Sequence, residues 1–478
     1  MAEKSRPSVV WFREDLRLAD NPALHAGLAR GEPVVCVYVL ETDRIVRPHG
    51  SASRWWLHHS LAALGSDLAK RGGGLILRRG PAATVVPALA REVDAGAVYW
   101  NRRYGSAEGV DDATAEALST AGIASESFNA KLLREPWDVE TKSGGSFKVF
   151  TAYWRAASAG PETGDPLPAP SRIEGLATPP RSDDLAAWAL LPTKPDWAKD
   201  FGDTWTPGEA GAQARLADFL KDRLEEYDLR RDFPASEVTS RLSPHLAFGE
   251  IGPRQVFAAL SATRHPGSEA ARRFRSEIGW REFSYHLLAQ EPDLAGTNFN
   301  KAFDDFSWRD APADLHAWQR GRTGYPIVDA AMRQLWQTGW MHNRLRLIVG
   351  SFLVKDLLID WRAGEAWFWD TLVDADPANN PANWQWVAGS GADAAPYFRV
   401  FNPILQGEKF DPDGVYVRRW VPELAQLPDK LIHQPWTATP LELASAGIEL
   451  GKTYPHPIVD HKAGRERALK AYATIRGS

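Results

Sequence analysis

The chain has one cysteine, Cys36, in 478 residues. A single thiol excludes an internal disulfide framework, a cysteine-ligated zinc site and a four-cysteine iron–sulfur cluster, and no metal site is expected. Long apolar runs are also lacking. None approaches the roughly 18 residues of a membrane span, and the opening MAEKSRPSVVWF holds no apolar signal core, so a cytoplasmic protein without membrane association is expected. Positive charge is not in excess either. With 56 Lys and Arg against 61 Asp and Glu the formal net charge is −5, which leaves any contact with nucleic acid to a local basic patch. No G-x-G-x-x-G follows the first apolar run, so the usual dinucleotide fingerprint is absent.

What is present is an ordinary globular composition, 44% apolar and 24% charged, enough for a sizeable core. Up to about Phe128, short apolar runs begin near Val9, Pro33, Leu75, Ala97 and, more weakly, Ser125. Amphipathic stretches around Pro22, Ser53, Pro81 and Val110 lie between them, an order that predicts βαβ units on a parallel, Rossmann-like sheet. RGGG at Arg71–Gly74 precedes a strand and reads as a helix stop. Residues 161–207 are rich in Pro, Gly, Asp and Ala and read as a long connector, which Trp188, Trp197 and Trp205 would anchor on a domain surface. From Glu209 onward helical periodicity dominates. The expected division is an α/β domain over 1–130, a connector over 131–205 and an all-α domain over 206–478.

The densest chemistry lies between Trp340 and Trp386. On a helix Asn343, Arg346 and Leu347 share one face, and Asp374, Asp376, Asn380, Trp384 and Trp386 follow. A guanidinium, two carboxylates and an amide beside indoles suit a planar, hydrogen-bonding cofactor such as a flavin. Upstream, Thr239, Ser240, Arg241 and Ser243 offer hydroxyls, amides and a guanidinium to a pyrophosphate; the same pattern also suits a helix N-cap and its turn. Glu277, Trp280 and Arg281 stand at i, i+3 and i+4, which fits either a lined cavity or a surface ion pair worth about 0.3–0.5 kcal/mol. Arginines recur nearby at 231, 344 and 399, as a DNA-facing rim or as a solvated face.

From Tyr227 to Asp460 the sequence closely resembles the photolyase/cryptochrome family. WFREDLRLADNPAL, GYPIVDAAMRQL, WMHNRLR, DWRAGE and QGEKFDPDG carry the resemblance over nearly the whole chain. It implies an α/β antenna domain followed by an all-α domain holding a U-shaped FAD. The implied activity is light-driven repair of cyclobutane pyrimidine dimers in UV-damaged DNA, with FADH⁻ as the electron donor to a flipped-out dimer.

By resemblance, Tyr227, Thr239, Ser240, Arg241, Leu242 and Ser243 match the segment that holds the FAD phosphates and sugar. Phe274, Glu277, Arg281, Asn343, Arg346, Asp374, Asp376 and Asn380 match flavin-lining positions, with Asn380 at the flavin N5. Trp384, Trp361 and Trp308 match a three-tryptophan photoreduction chain. Glu277, Trp280, Asn343 and Trp386 match the dimer pocket, and Arg231, Arg344 and Arg399 match DNA contacts. Enzymes acting on (6-4) photoproducts carry two histidines where this chain has Asn343 and Leu347, which argues against that chemistry. Plant-type cryptochromes usually have Asp in place of Asn380 and add long signalling tails, which are not expected here. Leu347, where class I dimer photolyases generally carry Met, and FWDTLVDAD resemble class III. That resemblance suggests methenyltetrahydrofolate as the antenna, with Glu41 as a contact and a deazaflavin as the alternative. No obligate protein partner is expected, and relatives of this kind are usually monomers. The alternatives are a cryptochrome-like blue-light photoreceptor and a flavin oxidoreductase; the missing nicotinamide fingerprint speaks against the second.

Overall fold

The computed structural model describes residues 6–161, 164–394 and 398–475. They fall into two compact units. The first gathers the chain up to Trp197 with Gly202–Asp222 and Ser240–Asp293; the second gathers Ala198–Phe201, Arg223–Thr239 and everything from Leu294.

The first unit is built on a five-stranded sheet in the order β3-β2-β1-β4-β5. Its strands are β1 (Ser8–Phe12), β2 (Val34–Glu41), β3 (Leu75–Gly80), β4 (Ala97–Asn101) and β5 (Ala124–Phe128). All neighbours are parallel, with Val10 opposite Cys36 and Val9 opposite Val98. The helices α1 (Pro22–Ala29), α2 (Ser51–Ala69), α3 (Ala82–Glu92) and α4 (Glu108–Thr120) alternate with the strands. Helices on both faces bury β1 throughout and β2 up to Val39, which is why both strands read as nearly continuous apolar runs. The edge strand β5 exposes Ala124, Ser125 and Glu126, which explains its faint apolar signal. Local chemistry sets the boundaries. Asn21 Oδ1 accepts from Leu24 N at 3.1 Å and Pro22 opens α1. After α2, Gly73 N reaches back to Leu68 O at 3.0 Å with Gly72 at φ 90°, so RGGG is the helix stop the sequence suggested. Burial pushes the Cys36 thiol up to about 12, which leaves it inert.

Residues from the expected connector pack against this unit. Trp188 meets Tyr38 at 6.1 Å and Trp205 meets Trp56 edge-on at 5.4 Å. The helix α5 (Phe150–Ser158) lies on the long helix α6 (Glu269–Gln290), where Tyr153 touches Phe283 at 5.3 Å. Glu282 on α6 also accepts the amide of Leu133 at 2.7 Å. These contacts group residues 240–293 with the sheet, across the linear division expected at 130 and 205.

The second unit is helical. Its elements around the site are α7 (Pro326–Thr338), α8 (Asn343–Ser351), a π-helical turn (Phe352–Asp356), α9 (Trp361–Thr371), α10 (Asn379–Ala388) and α11 (His461–Ile475). Among the described residues it holds no strand, only an isolated bridge between Leu450 and Tyr454. The stripe from Ile348 to Leu358 is core, as its composition suggested. Lys355 and Asp356 are buried with it. No helix among the described residues is long and apolar enough to cross a membrane.

Candidate functional site

In the second unit, α8, α9 and α10 line an open cavity of about 530 Å³, the solvent at its mouth included. Asn343, Arg346 and Leu347 line it from α8, Asp374 from the turn before α10, and Asn380 and Trp384 from α10. The turns that aim these side chains are specific. Gly339 ends α7 at φ 66°, and a Cβ there would lie 2.7 Å from Val373. The Gly339 carbonyl then takes Val373 N at 2.8 Å, which fixes the residue before Asp374. His342 caps α8 by accepting Arg344 N at 3.2 Å, and burial pushes its imidazole down to about 3, so it is neutral.

Arg346 Nη2 pairs with Asp374 Oδ2 at 2.7 Å, while its Nε donates to Met341 O at 2.9 Å. The Asp374 side chain is only 2% exposed, yet its Oδ1 has no hydrogen-bond partner. Asn380 Nδ2 donates to Glu365 Oε1 at 2.8 Å and to Glu365 O at 3.1 Å, so the amide oxygen keeps its accepting capacity. Asp376 differs from its neighbours. Its Oδ1 takes the amides of Ala378 and Asn379 at 2.9 and 2.7 Å, which uses this carboxylate to shape the entry to α10.

Trp386 leaves this cavity and lines a second cleft of about 470 Å³ with Ser351, Lys355 and Arg399. Trp384 is 3% exposed and meets Trp318 edge-on at 6.1 Å and Phe368 at 5.0 Å. Trp361 is fully buried in the same core, its indole N–H donating to Asn298 Oδ1 at 2.9 Å. Trp308 packs half-buried at the margin of that core. Tyr227 is buried beneath the Arg231 guanidinium, 5.3 Å from its ring, and Thr239 is half-buried. Arg344 pairs with Asp232 at 2.7 Å, and Arg231 lies 3.9 Å from the same carboxylate. Arg399 is exposed.

The remaining site residues belong to the first unit. Ser240 Oγ takes Leu242 N at a long 3.4 Å, and the short helix Ser243–Ala247 begins without a side-chain cap, so capping leaves most of this polar segment unexplained. Arg241 holds φ 51°, a left-handed strain that costs on the order of 1 kcal/mol in a non-glycine residue and concentrates at ligand clamps. On α6, Phe274 is buried while Glu277 and Trp280 are half-buried. Arg281 turns inward, donating to Lys131 O at 3.0 Å and pairing with Glu282 at 3.1 Å. One oxygen of Glu41 pairs with Arg103 at 3.0 Å and the other is buried without a partner.

Sequence reasoning missed several partners. Glu365 fixes the Asn380 amide, Asp232 joins two arginines, and Phe150 stacks on Trp280 with ring centres 3.7 Å apart and planes 11° apart. None shares a local pattern with its partner, so periodicity offered no signal for them.

Two family models match the chain. Residues 274–474 match the FAD binding domain of DNA photolyase, and residues 8–171 match DNA photolyase. The chain belongs to the DNA photolyase/cryptochrome family. It is 56% identical to a deoxyribodipyrimidine photo-lyase of Agrobacterium fabrum, over 100% of this chain and 99% of that one. A crystal structure of a bacterial class III photolyase from Agrobacterium tumefaciens superposes with a TM-score of 0.97 at 55% identity, covering 100% and 99% of the two chains. Cryptochrome-1 of Arabidopsis thaliana is 38% identical over 98% of this chain and 70% of its own length.

Proposed function

We propose that this protein repairs cyclobutane pyrimidine dimers in UV-damaged DNA with near-UV or blue light, as a deoxyribodipyrimidine photo-lyase that holds FAD. The observation that carries this reading is the buried, unpartnered Asp374 Oδ1 in a cavity shared with Arg346, Asn380 and Trp384. Such an oxygen costs about 1–3 kcal/mol while it lacks a donor, and the imide N–H of a flavin supplies one. When bound, reduced and excited by light, FAD supplies the electron that opens the cyclobutane ring and takes it back.

The protein's part is to bind, orient and wire. Tyr227, Thr239, Ser240, Arg241, Leu242 and Ser243 hold the phosphates and sugar, and Phe274, Arg346, Asp374 and Asn380 face the ring. Asp376 shapes the turn that presents Asn380, and Arg281 holds α6 through Lys131 and Glu282. Glu277 hydrogen-bonds the dimer, Trp280 and Trp386 pack against its bases, and Asn343 is a further dimer contact. The stack of Phe150 on Trp280 makes the indole a preformed wall. Trp384, Trp361 and Trp308 pass an oxidising equivalent from the core toward solvent. Arg231, Arg344 and Arg399 contact phosphates, the local patch that an acidic chain requires. Extruding a dimer costs less than extruding a paired base because damage weakens stacking.

We take methenyltetrahydrofolate as the antenna, on the first unit, with Glu41 as a contact and a deazaflavin as the alternative. We take the protein to be monomeric and cytoplasmic. The test is repair of an oligothymidine carrying one cyclobutane dimer by the purified, photoreduced protein, followed at 260 nm with a dark control. Light-dependent recovery that is lost in Glu277→Ala supports the reading. FAD that photoreduces without any recovery refutes it in favour of a photoreceptor.

A further inference from the structure

Lys355 is buried, 5% exposed, inside the apolar core of the second unit. It gets there because α8 runs into the π-helical turn Phe352–Asp356, closed by Leu357 N to Phe352 O at 3.0 Å. An inserted turn of this kind re-aims side chains and is frequent at functional sites. Lys355 Nζ lies 2.5 Å from the Arg399 carbonyl and 4.5 Å above the Phe398 ring. One turn earlier, Ser351 Oγ accepts Phe401 N at 3.2 Å. On its other side Phe398 stacks on Tyr472 of α11, ring centres 4.5 Å apart at 10°. The helix α11 is held by the same π turn, through His461 to Asp356 at 2.6 Å and Arg467 to the Asp356 carbonyl at 2.5 Å. The segment Phe398–Phe401 is thus pinned at three of its four residues, while the Arg399 side chain reaches solvent beside the cleft that Lys355 and Trp386 share.

We propose that Lys355 is a positioning residue for damaged DNA: by holding the Arg399 carbonyl it sets the Arg399 guanidinium against a backbone phosphate beside Trp386. This rests on the reading of Arg399 as a DNA contact. A purely structural role suits an apolar side chain better, since replacing buried charge by a hydrophobic residue of similar volume is often neutral or stabilising. Burial also pushes the Lys355 ammonium down to about 7, so the core tolerates this cation at a cost.

The test is a double-mutant cycle in the full-length holoprotein. Affinity for a labelled oligothymidine carrying one cyclobutane dimer is measured against salt for the wild type, Lys355→Met, Arg399→Ala and the double variant. One phosphate contact on a single strand contributes about 0.7 to the slope of log K on log salt, roughly fivefold at 0.1 M. Arg399→Ala is expected to lose that contact and Lys355→Met to lose much of it, with a melting temperature equal to or above that of the wild type. The double variant is expected to bind no more weakly than Arg399→Ala, because Lys355 acts through Arg399. Wild-type affinity in Lys355→Met, or fully additive losses, overturns the inference alone. Wild-type affinity in Arg399→Ala overturns the reading of Arg399 and the inference with it. Should Lys355→Met not fold, Ser351→Ala removes the neighbouring tie in the same cycle, and absence of any loss there overturns the proposal.

Discussion

Asp374→Asn separates cofactor binding from the ion pair that surrounds it. The carboxylate places Oδ2 2.7 Å from Arg346 and leaves Oδ1 buried without a donor. Because a guanidinium only donates, an asparagine turns its oxygen toward Arg346 and puts its NH2 where the spare acceptor was. A donor then faces the flavin N–H. A hydrogen bond to a charged group contributes about 1.5–3 kcal/mol, so FAD affinity is expected to fall by about 2 kcal/mol, roughly 30-fold. The apoprotein loses less. Arg346 is 24% exposed, so after solvent screening the missing charge costs about 1 kcal/mol, and one unsatisfied buried group, the oxygen, is exchanged for another, the NH2. Titration of the apoprotein with FAD, read by flavin fluorescence, gives the affinity, and thermal melting of the apoprotein gives the stability. FAD affinity within twofold of wild type, or a loss of apoprotein stability that exceeds the loss of affinity, refutes the assignment of Asp374 to the ring.

Two further substitutions probe the scaffold. Burial, partly offset by Arg281 and the amides of Leu133 and Arg134, holds the Glu282 carboxyl up at about 7 from an ordinary 4.5. The folded protein therefore keeps a proton that the unfolded chain releases, so stability is full below about pH 4.5 and falls as the pH rises to 7. Glu282→Gln removes that fall. Its urea midpoint is expected to rise at pH 8 by the equivalent of about 3 kcal/mol, at roughly 1.36 kcal/mol per pH unit, and to stay unchanged at pH 4; no gain at pH 8 counts against the buried-acid reading. Gly364→Ala would place a Cβ 2.2 Å from Trp384 Cη2 and 2.7 Å from Leu353 Cδ2. Overpacking of this kind costs about 1–3 kcal/mol, and a lower melting temperature with slower photoreduction of bound FAD is expected. An unchanged melting temperature would show that Trp384 has room to move.

The parallel sheet was legible because strands buried on both faces need near-continuous apolar runs, and β1, β2 and β4 supply them except at one terminal residue each, Ser8, Glu41 and Asn101. The cavity was legible in part for a related reason: α8 repeats every 3.6 residues, so Asn343, Arg346 and Leu347 had to share a face, and all three line it. Both arguments use regularity, and both fail where the backbone departs from it. From Ile348 to Leu358 the composition reads as one apolar stripe, and a regular helix gives no reason to bury Lys355 and Asp356 within it; the π turn does so by adding a residue to the repeat. Trp386, six residues beyond Asn380 on α10, lines the neighbouring cleft with Lys355 and Arg399, a placement that helical spacing alone does not give. Glu365 was invisible for another reason, since it acts on Asn380 from the preceding helix and no repeat relates the two positions. The sequence therefore exposes groups that share a regular element. Groups that hold those residues in place sit on other elements, and their roles follow only from distances. This asymmetry separates Asn380, found from sequence, from Glu365, which takes up the Asn380 NH2 and so orients the amide oxygen that can accept.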